Sequence, residues 1–121
     1  MLAIAVPPPA HVACIRIVHV ADTLSTRVAL TPAMLLRIAT LRVTIADREH
    51  VAQLVAAIAA TPSQPDTQAA DSRWGVALFD ERDAPLLTIY LDRFGERAVI
   101  DGRPARVRAK PLVRLLAQVV R

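Results

Sequence analysis

The sequence predicts an α+β fold: a single, mostly antiparallel sheet with helices packed on one face. Three observations carry this. Residues 73–107 read as four consecutive strand-like runs separated by turn signals. Two helix starts, Thr31-Pro32 and Asp47, precede them, and a third apolar helical stripe follows. No Gly-rich turn links a strand to a helix, as a parallel nucleotide-binding sheet would require. The predicted order is β-α-β-α-β-β-β-β-α. At 121 residues the chain is read as one domain, residues 1–121, with an extended segment at 1–10 and a polar loop at 61–72.

Pro7-Pro-Pro9 keeps the first segment extended. Residues 11–20 are rich in β-branched side chains and read as a strand central in the sheet. His11, Ala13, Ile15, Ile17 and His19 share one face, and Val12, Cys14, Arg16, Val18 and Val20 the other. Asp22–Ser25 reads as a loop. Thr31 caps a two-turn helix with Pro32 at its first position and Met34, Leu35 and Ile38 on one side. Residues 41–45 alternate as a second strand, with Arg42 and Thr44 outward. Asp47 caps the main helix, whose Val51, Leu54, Val55 and Ile58 follow helical spacing up to Thr61-Pro62. Residues 61–72 hold no large apolar side chain and read as a connector.

The central hairpin has a definite expected register. A turn between Arg82 and Asp83 makes facing residue numbers total 165. Trp74, Val76 and Leu78 then oppose Leu91, Ile89 and Leu87 on an apolar face that meets helices. Gly75, Ala77 and Phe79 oppose Tyr90, Thr88 and Leu86 on a mixed face, and Arg73 opposes Asp92. After a turn at 93–96, residues 97–100 pair back with numbers totalling 189, placing Ala98 opposite Leu91 and Ile100 opposite Ile89. Asp101-Gly102 signals a type I′ turn. The return strand, 103–107, carries Pro104, so an edge position is expected. The last helix, 111–120, buries Leu112, Leu115, Leu116 and Val119.

Composition narrows the function. Apolar residues make up 54% and aromatics 3%, so the core rests on Val, Leu, Ile and Ala. Of 15 basic residues only Lys110 is lysine, which we attribute mainly to a GC-rich coding bias. Residues 1–92 carry 7 basic and 9 acidic side chains (−2), and residues 93–121 carry 8 and 2 (+6), which together make the chain's +4. The lone Cys14 excludes an internal disulfide, and the expected location is cytoplasmic. Met1–Pro9 lacks a basic start and is a poor export signal, a shortened one being the alternative. No stretch has transmembrane length.

No catalytic, cofactor or metal site is expected. His11 and His19 lie roughly 26 Å apart along a strand, and Cys14 points the other way. His50 beside Asp47 reads as capping, and Ser25 and Ser72 lack a nucleophile context. Asp80, Glu81, Asp83 and Asp92 read as turn acids. The chemistry-bearing candidates are instead the basic residues after the hairpin: Arg93, Arg97, Arg103, Arg106, Arg108 and Arg114, with Tyr90 beside them. They read as an anion-binding surface for another protein, an acidic one above all. Nucleic acid is the second class, and it lacks an aromatic platform other than Phe94. A small enzyme is the third. Homodimerisation would use the Pro104 edge or the mixed hairpin face. The architecture generally resembles small bacterial accessory and toxin-immunity proteins. The resemblance implies a non-enzymatic module that masks a partner, and no site residue is carried over from it.

Overall fold

In the computed structural model, which describes residues 1–21, 28–68 and 70–121, the strands form one eight-stranded antiparallel sheet. They are β1 (Leu2–Ala3), β2 (Cys14–His19), β3 (Leu41–Ile45), β4 (Pro62–Pro65), β5 (Trp74–Phe79), β6 (Pro85–Leu91), β7 (Arg97–Ile100) and β8 (Arg103–Val107). Three helices accompany them: α1 (Pro32–Ile38), α2 (Arg48–Ala59) and α3 (Lys110–Val119). The strand order is β1-β4-β8-β7-β6-β5-β2-β3. The α+β class with a single sheet is therefore observed. The expected Asp22–Ser25 loop lies outside the described residues.

The hairpin registers follow side-chain alternation. Trp74, Gly75, Val76, Ala77 and Leu78 face Leu91, Tyr90, Ile89, Thr88 and Leu87, as expected. The register then breaks, and Phe79 faces Pro85, not Leu86. The turn explains the shift. Asp80 Oδ1 accepts from the amides of Arg82 and Ala84, both at 2.9 Å, and Asp83 takes a left-handed φ of 62°. The loop thus holds three residues, 81–83, and the odd one is absorbed as a bulge. Arg73 Nε donates to Asp71 at 3.0 Å, and Asp92 Oδ1 accepts from the Glu96 amide at 2.8 Å. The β6–β7 register pairs Ile89 with Ile100 and Leu91 with Ala98. Asp101 and Gly102 both have positive φ, 46° and 81°, as a type I′ turn demands.

One face of the sheet carries the main core. Ile15, Ile17, Val76, Leu78, Ile89 and Leu91 are buried there under Val51, Leu54, Val55 and Ile58 of α2 and Leu112 and Leu116 of α3. The two longer helices thus share a face. The short α1 is the exception, because Leu35 packs with Val20 and Leu30 against Val18 and Tyr90, on the opposite face. Its caps explain its length: Thr31 Oγ1 accepts from the Met34 amide at 3.2 Å, and Ala39 leaves the helix extended. Gly75 lies beneath Tyr90, so a methyl group there would stand 2.6 Å from Val18 Cγ2 and 3.0 Å from the Tyr90 ring. Val18 and Tyr90 close over the position only because no side chain fills it.

Three expectations are corrected. The first long strand begins at Cys14, not His11, because Pro9–His11 forms a 3-10 turn. The Arg48 guanidinium holds that turn by donating to the carbonyls of Val12 (2.9 Å) and Pro9 (2.7 Å). That strand is also second from an edge rather than central. Finally, the Pro104 strand is not an edge: β4, from the expected polar loop, pairs with β8, and β1 pairs with β4. Pro104 is tolerated because β4 ends at Pro65, opposite Ala105, so no ladder bond from the Pro104 nitrogen is required. Its carbonyl still accepts from the Asp66 amide at 3.1 Å.

Candidate functional site

The pairing of β4 with β8 borders a basic hollow. Arg97 and Arg106 sit opposite each other across β7 and β8, and Gln64 of β4 sits opposite Arg106. Alternation sends all three to the face away from the main core. They border a cleft of about 590 Å³ with Met1, Glu96, Val107 and Arg108. A second hollow of about 480 Å³ shares Glu96, Val107 and Arg108 with it, and adds Gly95, Lys110 and Pro111. Arg97, Arg106 and Arg108 line the first hollow, and Arg108 and Lys110 the second.

Asp66 organises the arginines. Its Oδ2 lies 2.7 Å from Arg97 Nη1 and 4.0 Å from Arg106 Nε. Its Oδ1 accepts from the Thr67 amide at 2.7 Å. The Thr67 amide first, then the Gln68 amide and the two guanidinium charges, hold the Asp66 carboxyl below the ordinary carboxylate range. Arg97 is half-buried by this pairing, whereas Arg106 and Arg108 stay exposed. Lowering the pH tests the arrangement. A depressed folded value means the stabilisation is fully present above the unfolded value and disappears as pH falls through the folded one. Wild type is therefore expected to be more stable than Asp66→Asn at neutral pH, and the gap to close below about pH 4. Urea unfolding of both proteins across that range checks it; a gap independent of pH contradicts the carboxylate's role.

The remaining candidates lie elsewhere. Arg93 is exposed and stacks over Phe94, 4.7 Å from its ring centre. Arg114 is exposed on α3. Arg103 points the other way from Arg106 and lines a separate hollow of about 550 Å³, with Leu2–Ala5, Leu87, Ile100 and Ala105. Tyr90 is half-buried under α1, and burial pushes its phenol above the ordinary value. The mixed hairpin face is therefore split. Gly75 and Tyr90 are covered, and Ala77, Phe79 and Thr88 remain partly open beside Arg16, which lies 4.2 Å over the Phe79 ring.

The residues weighed for other chemistry have local roles. His19 stacks on Trp74 at 3.7 Å and its Nδ1 donates to the Arg73 carbonyl at 3.0 Å. Cys14 is half-buried on the face opposite Ile15. Asp47 Oδ2 accepts from the His50 amide at 3.0 Å and from its Nδ1 at 2.6 Å, and the amide chiefly keeps this carboxyl low. Ser25 lies outside the described residues. Among the described residues no group of three or more His, Cys, Asp or Glu converges as metal ligands, and no helix is long and apolar enough to cross a membrane.

Sequence reasoning missed Asp66, Gln64 and Glu96. Asp66 was the available signal. The segment 61–72 has two carboxylates, and both meet arginines, Asp66 with Arg97 and Asp71 with Arg73. No family model matches the chain, and no curated protein or solved structure matches it. Fold and cleft together define a small α+β protein with an arginine-lined depression beside a sheet edge.

Proposed function

We propose that this protein is a non-enzymatic binding module that engages the acidic segment of another protein through Arg97, Arg106, Arg108 and Lys110. The supporting observation is that those four cations line two neighbouring hollows that share Arg108, with Glu96 the one carboxylate in their lining. Asp66, which pairs with these arginines, is already occupied by Arg97 and two backbone amides. Exposed guanidinium groups pair with carboxylates through paired, directional hydrogen bonds, which suits Arg106 and Arg108 to an acidic peptide. Arg97, positioned by Asp66, forms a rigid wall. Masking a partner by covering its acidic surface is the mode of action that follows. A reducing compartment is the location we propose, since nothing in this chemistry uses a disulfide.

Nucleic acid is disfavoured by the lining. No aromatic ring borders the cleft on which a base would stack. The test is a titration of a fluorescent polyglutamate peptide and, separately, a single-stranded oligonucleotide of equal charge. The peptide is expected to bind at low salt, and Arg106→Glu and Arg108→Glu each to weaken it roughly tenfold. Both positions are exposed, so circular dichroism should be unchanged. Absent peptide binding, or binding indifferent to both substitutions, overturns the proposal. Tighter oligonucleotide binding with a steep salt dependence replaces it with the nucleic-acid reading.

A further inference from the structure

The two edges of the sheet are built differently. At one end β1 has only two residues, both exposed, and its neighbour β4 begins and ends with proline. Short strands and prolines discourage further pairing. At the other end β3 has five residues, Leu41-Arg-Val-Thr-Ile45, with no proline or lysine, and among the described residues it pairs only with β2. Arg42 does not guard this edge, because its guanidinium folds back onto the Leu36 carbonyl at the end of α1.

The core row also stops short there. On β2, Ile15 and Ile17 are fully buried, yet their neighbours on β3, Ile45 and Val43, are only half-buried, as is Leu41. Such a row is completed by another strand carrying apolar residues at the same spacing. A second copy of β3 supplies it. In an antiparallel pairing about a two-fold axis at Val43, Leu41 faces Ile45 of the second copy and Val43 faces its own equivalent. Arg42 faces Thr44. This register uses all five residues and sets no like charges opposite each other. Shifting the axis to position 42 would place Arg42 against Arg42, a destabilising pair.

We propose that β3 is a self-association edge, through which two copies join their sheets about Val43. The two basic clefts then lie at opposite ends of one continuous sheet. The strands between β8 and its counterpart, at about 4.8 Å spacing, separate them by roughly 50 Å. The proposal does not depend on what the clefts bind, since β3 and β8 are separated by four strands. Five residues per copy bury less than the roughly 1,200 Å² of a standard interface, so the dimer is expected to be concentration-dependent.

Sedimentation equilibrium of the full chain from about 10 µM to about 1 mM tests it. Reversible dimerisation is expected within this range. Thr44→Arg sets Arg against Arg42 twice in the dimer and should weaken association at least about tenfold. Thr44→Glu sets opposite charges there and should tighten it several-fold. Thr44 is exposed and faces Arg16 on β2, so circular dichroism checks that both variants keep the monomer fold. A wild-type chain that stays monomeric at about 1 mM overturns the proposal, as does a dimer whose affinity neither substitution moves.

Discussion

Gly95→Ala is expected to be among the most destabilising single substitutions in this protein, at about 3 kcal/mol or more. Two independent costs act at the same position. Gly95 has φ of 69°, where an L side chain costs about 1–2 kcal/mol. An added methyl would also stand 2.7 Å from the Ala109 carbonyl carbon, 2.9 Å from its oxygen and 2.9 Å from the Lys110 nitrogen. These are backbone atoms at the start of α3, so no rotamer change relieves the contact. The turn and the helix must move apart, straining the bond from the Ala109 amide to the Gly95 carbonyl, now 2.8 Å. Gly102→Ala is the control. Its φ is 81°, but nothing lies within 4 Å, so only the backbone cost of about 1–2 kcal/mol should appear. Urea unfolding followed by the fluorescence of Trp74 measures both. Equal losses would show that the turn is not pressed against α3.

The second large effect is at the centre of the core. Ile89 is fully buried, faces Val76 on one side and Ile100 on the other, and lies in the cluster roofed by α2 and α3. Ile89→Ala removes apolar contacts and leaves a cavity between two strands, with an expected loss of about 3–4 kcal/mol. That is a large fraction of the roughly 5–15 kcal/mol typical of a domain. Ile100→Ala, at a half-buried neighbour on the same face, should cost about half as much, because solvent already reaches part of the side chain. Midpoints shifted in this order, with unchanged denaturant dependence, confirm where the core is densest. Equal costs would place the centre of the core nearer β7.

The fold was legible wherever neighbouring residues decide the outcome. The β5–β6 register through Leu78 follows from strict alternation, since a one-residue slip would turn Trp74, Val76 and Leu78 away from α2 and α3. The break at Phe79 was not legible. It depends on Asp80 gathering two amides, which enlarges the turn by one residue. The basic candidates could be read from the sequence, but how they group in space could not. Arg97 and Arg106 face each other across the β7–β8 hairpin, and Pro62–Pro65, added as a strand beside β8, brings Gln64 and Asp66 to them. Arg103 belongs to the other face by alternation alone, a separation already implicit in the spacing of 103 and 106.

By itself, the sequence determined the helix starts at Thr31 and Asp47, the β5–β6 register as far as Leu78, the β6–β7 register, the type I′ turn at Asp101-Gly102, the apolar stripe of α2 and the buried Leu112 and Leu116 of α3. Each is settled by contacts among residues close in the chain, or by the period of their side chains. Only the tertiary structure decided that α1 crosses to the opposite face, that β1 and β4 extend the sheet past Pro104, and that four cations line two hollows sharing Arg108. Two- and four-residue strands have too little periodicity of their own to announce themselves. Their hydrogen bonds are completed by an edge that exists only once β8 has folded against β7.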